Sequence, residues 1–370
     1  MTDLRPILQS LAALPADSPM GLPGIFYTSA ERFDWEKKTV LQKGWHCLGR
    51  QDEVPEAGDF FTVQLLEEPL IIVRGDDGVV RVLANVCRHR GMPLAEGRGN
   101  VKRFVCLYHA WMYGRDGALL RATRMENKGF DASSCRLHSY NIQLWNGFIY
   151  CSLDAEAAPF SNEAETLDAL LEPYQSDTFR LVHVAEEVWH TNWKCLVENF
   201  MEGYHLSVVH PQTLHDYTPT GLAKKSASGP GFTSYMANYP ETAARRGKGA
   251  AGLSDAERHR STLFARFPTQ VASQAASLLV SLSIFPISAE KIRVKWTMSV
   301  YGDDLDAATI QERIQLWEEV NTEDREKLEK MQIALRSQHA QSGPLAGDDF
   351  EGTIRDFQLW LAQQDAELLD

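Results

Sequence analysis

The chain has 370 residues and a formal net charge of −13 at pH 7. An acidic surface of that kind repels phosphates, which argues against a nucleic-acid partner, and no apolar run approaches the ~18–20 residues that a membrane crossing needs. The start, MTDLRPILQSLAALPADSP, lacks a basic stretch followed by an apolar run, so a cytoplasmic setting is expected, with Cys47, Cys87, Cys106, Cys135, Cys151 and Cys195 as free thiols or metal ligands.

Residues 1–42 read as a lead-in arm. From 43 to 156 the signals are short strands and turns. Hairpins are expected at Asp76-Asp77-Gly78 and at Asp116-Gly117, and QLWNGFIYCSL (143–153) reads as one further strand. Around 154–165 the composition shifts to Ala, Glu, Pro, Ser and Asn, which marks a boundary and leaves 157–370 as a second domain. There, 179–193 opens as a strand, 193–210 reads as a helix, and 278–302 reads as two strands joined by a turn. The segment 241–262 is rich in Gly, Ala and Arg and suits a mobile loop or lid. Residues 305–340 and 350–366 are charged and periodic, like surface helices. The expected class is α+β: a small all-β domain, then an antiparallel sheet with helices over one face.

Two cysteines each precede a histidine: Cys87-x-His89, sixteen residues, then Cys106-x2-His109. Three metals compete for such a set. Structural zinc takes two Cys and two His, usually from paired Cys and paired His. Blue copper wants one Cys, two His and a weak axial Met. A Rieske [2Fe–2S] centre wants two Cys on one iron and two His on the other, a split that two similar Cys/His loops can supply. Farther on, NWKCLVENFMEGYHLSVVHP places Glu202, His205 and His210 at Glu-x2-His-x4-His. Glu202 and His205, at i and i+3, would share a helix face. Pro211 ends or distorts the helix near His210. Two imidazoles need a carboxylate to complete a 2-His-1-carboxylate triad that leaves positions open on Fe(II). His183, His190 and His215 read as ordinary surface or core histidines.

The words around Cys87, His89, Cys106 and His109 resemble the Rieske family, with Leu107 standing where a proline is usual. The Glu202–His210 segment resembles the mononuclear iron motif of Rieske non-heme iron oxygenases. The two resemblances together cover nearly the whole chain. They imply an all-β [2Fe–2S] domain and a helix-grip catalytic domain, with His205 and His210 as iron ligands and Glu202 as a bridging acid. The third ligand is then expected in EEVNTEDREKLEKMQIAL, at Asp324, with Glu323 adjacent and Asp303, Asp304 and Asp306 nearby.

By the same resemblance, the subunits form a ring, usually a trimer. The cluster of one subunit lies beside the mononuclear iron of its neighbour, and Glu202 accepts a hydrogen bond from a cluster histidine, His109, across the contact. Electrons come from NAD(P)H through a flavin or iron–sulfur reductase or a ferredoxin, since the chain lacks a Gly-rich dinucleotide fingerprint. The reaction is hydroxylation of a small organic substrate with O2. Glu rather than Asp at 202, and the opening LPGIFYTSAERFDWEKKTVLQKGWHCLGR, resemble relatives that act on quaternary amines, and N-demethylation or C–H hydroxylation of a betaine is the expected outcome. Ring hydroxylation of an aromatic carboxylate is the alternative. Tyr235, Phe267 and Phe285 are the candidate substrate contacts, as aromatic faces that can cage an ammonium. Arg245, Arg246, Lys248, Arg258 and Arg260 are candidates to hold a carboxylate.

Overall fold

The structure is a computed structural model, and it describes residues 3–125, 129–160, 165–243 and 247–366. The chain divides into two compact units: Cys47–Ala157, and Met1–His46 together with Ala158–Asp370. Arg245 and Arg246 lie outside the described residues. The architecture is α+β.

The larger unit begins with three short helices, α1 (Arg5–Ala12), α2 (Ile25–Thr28) and α3 (Ala30–Glu36). The smaller unit is all β. Its strands are β1 (Trp45–Arg50), β2 (Asp59–Leu65), β3 (Glu68–Arg74), β4 (Val80–Ala84), β5 (Arg98–Asn100), β6 (Phe104–Val105), β7 (Met112–Tyr113), β8 (Leu119–Arg121), β9 (Asn141–Trp145) and β10 (Phe148–Ser152). They form sheets in the orders β4-β3-β2-β5, β6-β7-β8 and β1-β10-β9. The segment 143–153 is therefore not one strand. Asn146 and Gly147 both take positive φ, and Trp145 pairs with Phe148, so an Asn-Gly two-residue turn folds the run back on itself. Phe60, Ile71, Leu83, Phe104, Trp111 and Tyr113 pack into one core, and Cys87 and Cys106 belong to the same cluster.

In the larger unit, β11 (Phe179–Trp189), β12 (Ala223–Gly229), β13 (Phe232–Asn238), β14 (Arg260–Arg266), β15 (Gln270–Gln274), β16 (Leu278–Ser288) and β17 (Lys291–Tyr301) build a seven-stranded antiparallel sheet in the order β11-β17-β16-β15-β14-β13-β12. Its helices are α4 (Glu165–Leu171), α5 (Trp193–Phe200), α6 (Leu206–Val209), α7 (Asp255–Arg258), α8 (Ala307–Ala334) and α9 (Asp348–Ala366). Helix α8 contacts β11, α5 contacts β15 and β16, and α9 contacts β12 and β13. Side chains fix the starts of α5 and α8: Asn192 Oδ1 accepts the Lys194 N–H at 2.9 Å, and Asp306 Oδ1 accepts the Thr309 N–H at 2.8 Å.

Helix α9 is not a surface helix. Ile354, Phe357, Gln358, Leu361 and Asp365 recur at helical spacing and are buried. Asp365 accepts from Arg32 at 2.7 Å, Arg32 bonds Glu36 at 2.8 Å, and Glu36 takes Lys194 at 2.7 Å. That buried chain of alternating charge ties α3 to α5 and α9. Removing Arg32 would take the ion-pair partner from buried Asp365, and removing Glu36 would take it from buried Lys194. The segment 241–262 also carries more structure than a lid. Lys248 and Gly249 donate to Asp304, Arg258 bonds the carbonyls of Lys248 and Ala250, and Arg260 already lies in β14.

Candidate metal centres

The segment expected as one helix over 193–210 breaks in the middle. Helix α5 stops at Phe200, and α6 starts after His205. Glu202 and His205 therefore do not share a helix face; they sit in the turn between the two helices. A side chain at Gly203 would place its Cβ 2.5 Å from the Ala223 Cβ, so this stretch must run close against β12. The Glu202 carboxylate fixes the turn by accepting the backbone N–H groups of Tyr204 and His205, and it also accepts from His205 Nδ1.

His210 ends α6 and is almost fully buried. Its Nδ1 donates to Glu323 Oε2 at 2.7 Å, and Thr213 donates to the same oxygen at 2.7 Å. Both imidazoles thus spend their Nδ1–H on a carboxylate, which leaves each Nε2 with a free lone pair. Both Nε2 atoms point to Asp324 Oδ1, at 3.7 Å from His205 and 3.1 Å from His210. Asp324 Oδ1 is buried and makes no hydrogen bond. The three ligand atoms lie within 4.8 Å of one another. Three electron-pair donors facing each other in a buried site repel unless a cation sits among them. Two imidazoles and one carboxylate, with carboxylates orienting the rings from behind, suit an octahedral divalent iron with open positions. Burial opposes a proton on His205, but the Glu202 and Asp324 carboxylates outweigh it and hold the imidazole above its ordinary pKa.

Adjacent acids on α8 thus divide the work. Asp324 faces the two Nε2 atoms, and Glu323 holds the back of His210. The sequence gives Glu323 no role beyond that of a neighbour to Asp324. Its signal is the adjacent pair Glu323-Asp324, in which one acid faces the two Nε2 atoms and the other holds the back of one ring. His215 is engaged instead by Ser207 at 2.9 Å, and His190 offers its backbone N–H to Glu329 at 2.9 Å.

In the smaller unit the two Cys/His loops fold alike. The Cys87 N–H donates to Met92 O, and the Gly91 N–H returns to Cys87 O. The Cys106 N–H donates to Trp111 O, and the Ala110 N–H returns to Cys106 O. The fourth residue after each cysteine, Gly91 or Ala110, has positive φ. Both thiols are buried while His89 and His109 are exposed, and the two imidazole rings lie 4.6 Å apart. Trp111 stacks on His89 at 4.9 Å. Buried sulfurs on the inside and paired imidazoles on the outside are the donor set of a cluster with one iron on each side. The Tyr113 hydroxyl accepts the Arg88 N–H at 3.0 Å and lies 3.4 Å from Cys87 Sγ, placed to donate to it. Burial is the first cause that lifts the Tyr113 pKa, and the hydroxyl stays protonated.

Of the three aromatic candidates, only Tyr235 is placed near the imidazole–carboxylate group. It is buried in β13, and after burial itself the charges on Glu202 and Asp324 are what push its phenol up. Phe267 packs against Phe357 and Trp360 at 5.1 and 4.9 Å. The register runs Tyr235–Leu263–Ser273–Val280 across the sheet, and Phe285 is five residues beyond Val280, so it points to the opposite face. Glu202 also lines a cavity of about 270 Å³ with Tyr27, Glu198, Asn199, Glu351 and Gln358. There burial pushes the Glu198 carboxyl up to about 7, against the hydrogen bond from Tyr27.

Residues 44–141 match the Rieske [2Fe-2S] domain family, and residues 176–367 match the ring hydroxylating alpha subunit (catalytic domain) family. A glycine betaine monooxygenase oxygenase subunit of Pseudomonas aeruginosa is 26% identical, over 94% of this chain and 90% of that protein. Its namesake in Chromohalobacter salexigens is 35% identical over 52% of this chain, and there the match spans under half of the relative, 44%. A solved quaternary ammonium Rieske monooxygenase, described in terms of carnitine oxidation by gut microbiota and inter-subunit electron transfer, superposes with a TM-score of 0.86 at 23% identity, covering 96% of this chain and 98% of that one. That likeness speaks for the fold. The Cys/His loops fall within the first family match and the His205–His210–Asp324 group within the second, and the chain belongs to the Rieske oxygenases, oxidoreductases with a ring-hydroxylating alpha-subunit catalytic domain.

Proposed function

We propose that the protein is the terminal oxygenase component of a system that hydroxylates a small quaternary amine at an N-methyl or other C–H bond. The observation that carries this reading is the convergence of His205 Nε2, His210 Nε2 and Asp324 Oδ1 on one point, on a chain that also holds two matched Cys/His loops. The amine assignment is supported by the near-full-length match to a glycine betaine monooxygenase subunit.

The residues to hold the [2Fe–2S] cluster are Cys87, Cys106, His89 and His109; those to hold Fe(II) are His205, His210 and Asp324. When bound, the cluster supplies single electrons and the ferrous ion supplies activation of dioxygen. The protein's own part is positional. Glu202 and Glu323 fix both imidazole tautomers and ring planes. Buried Tyr235 helps keep bulk water from the site. Atoms balance as R–CH3 + O2 + NAD(P)H + H⁺ → R–CH2OH + NAD(P)⁺ + H2O. A hydroxymethyl group on quaternary nitrogen then leaves as formaldehyde, with the C–N electron pair staying on the amine and one proton released. A separate reductase or ferredoxin delivers the electrons. We assign the cluster to residues 43–156, the chemistry to 157–370, and the arm 1–42 to the catalytic part. We infer a trimer in which Glu202 accepts from the exposed His109 of a neighbouring subunit.

The test is a panel of glycine betaine, carnitine, γ-trimethylammoniobutyrate and benzoate, run with a competent reductase and scored by oxygen uptake and formaldehyde. Formaldehyde equimolar with oxygen from one of the amines is expected. Turnover of benzoate alone would transfer the assignment to ring hydroxylation.

A further inference from the structure

Buried polar nitrogens without partners among the described residues lie on β11, β17 and α8. Trp296 Nε1, Trp317 Nε1, Asn321 Nδ2 and His183 Nε2 are all buried atoms that make no hydrogen bond among the described residues. Trp296, Trp317 and Asn321 are each no more than 5% exposed. Leaving such a group unpaired costs about 1–3 kcal/mol, so four on adjoining elements ask for an occupant.

The fold puts them in one place. His183 and Trp296 lie on the neighbouring strands β11 and β17, with rings 4.3 Å apart. Helix α8 runs alongside β11, pinned where Arg325 bonds Glu187 at 2.6 Å and Glu329 takes the His190 N–H. Going back from that pin, Trp317 is eight helical residues away, about 12 Å, and His183 is four strand residues away, about 13 Å. The two are therefore level. Trp317, Asn321, Asp324 and Leu328 form one buried stripe of α8, so Asn321 sits about 4.5 Å and Trp317 about 10 Å along the axis from the metal-facing carboxylate.

From this arrangement we propose that Trp296, Trp317, Asn321 and His183 bind the carboxylate of a zwitterionic substrate whose ammonium end lies at His205, His210 and Asp324. The inference rests on the amine-oxygenase reading and narrows its substrate class. Three of these groups are neutral N–H donors, which favour an acceptor-only partner, and a carboxylate is the strongest such acceptor. A hydrocarbon would leave every one of them unsatisfied. His183, half-buried beside Trp296 with its Nε2 inside and held below its ordinary pKa by desolvation, completes the set as a neutral imidazole. The spacing along α8 matches a molecule with a few carbons between its charged ends.

The first test needs no variant. Calorimetric titration under argon compares γ-trimethylammoniobutyrate with its methyl ester and with the matching trimethylammonio alcohol. The loss of a hydrogen bond to a charged group is worth about tenfold to a hundredfold in affinity, so the acid is expected to bind at least tenfold more tightly than either. The second test is Trp296→Phe and Trp317→Phe, which keep an aromatic ring and remove the N–H. The acid-to-ester preference is expected to fall about tenfold in each. Equal binding of acid, ester and alcohol, or an unchanged preference in both variants, overturns the carboxylate site while oxygen-coupled turnover of the amines leaves the oxygenase reading standing. Failure of every amine to bind or react overturns both.

Discussion

Replacing Glu323 by Gln removes a charge and keeps the shape. In the structure this carboxylate oxygen takes the His210 Nδ1–H at 2.7 Å and the Thr213 hydroxyl at 2.7 Å. The amide oxygen can still accept both, so the change is from charge-assisted bonds to neutral ones, roughly a halving of strength or about 1 kcal/mol for the bond from His210. The Glu323 side chain is 30% exposed, and solvent screens the remaining long-range loss, so about tenfold weaker Fe(II) binding is expected, at the low end of the usual range for outer-shell partners. Glu323→Ala, which also strands Thr213, should approach a hundredfold. Anaerobic Fe(II) titration of mononuclear-iron-depleted protein measures both, with the visible spectrum of the cluster as an internal control. Wild-type affinity in both variants would refute the orienting role. Loss of the cluster spectrum would point to misfolding instead.

Glu202→Gln should retain both metal centres and slow reoxidation of the cluster by substrate and O2 in single-turnover stopped flow; a wild-type rate would remove the bridging role. Tyr113→Phe deletes the hydroxyl placed to donate to Cys87 Sγ, and at about 1 kcal/mol for such a bond the cluster potential should fall by about 50 mV in protein-film voltammetry; an unchanged potential would show that the contact is not a hydrogen bond. Fe(II) affinity should weaken as pH falls, with onset above the ordinary histidine pKa, because His205 is raised and a proton there competes with the metal. Glu198, with a folded pKa of about 7 against an ordinary 4.5, contributes stability that is complete below 4.5 and is lost as pH rises through about 7. Glu198→Gln should therefore flatten the pH 5 to 8 slope in urea denaturation by about 2–3 kcal/mol, and an unaltered slope would contradict the burial of its charge.

The candidate metal ligands were legible because ligand chemistry is local: Cys87-x-His89, Cys106-x2-His109 and His205-x4-His210 announce themselves by type and spacing. Their surroundings were less so. The helix expected over 193–210 breaks because Gly203 must pass close to Ala223, a residue twenty positions away on a strand, and no periodicity encodes that approach. The Asn146-Gly147 turn was available as a two-residue signal but lay hidden in an apolar run. Helix α9 looks charged in sequence, yet Asp365 faces Arg32 from more than three hundred residues away and is buried as part of an ion pair. Sequence reading singled out aromatic rings for the substrate pocket. The groups that ask for an occupant are unpaired N–H donors on β17 and α8, and only the fold shows that Trp296 and Trp317 lack partners.

One chain offers two chemically distinct donor sets for iron, the paired Cys/His loops and the His205–His210–Asp324 group. Iron and acid-labile sulfide analysis of anaerobically reconstituted protein and of His205→Ala, read alongside dithionite-reduced EPR, tests it most directly. About three iron and about two sulfide per wild-type chain are expected, with a loss of one iron in the variant and an unchanged Rieske-type signal in both. Zinc in place of iron, or loss of the cluster signal together with the mononuclear iron in His205→Ala, would contradict it.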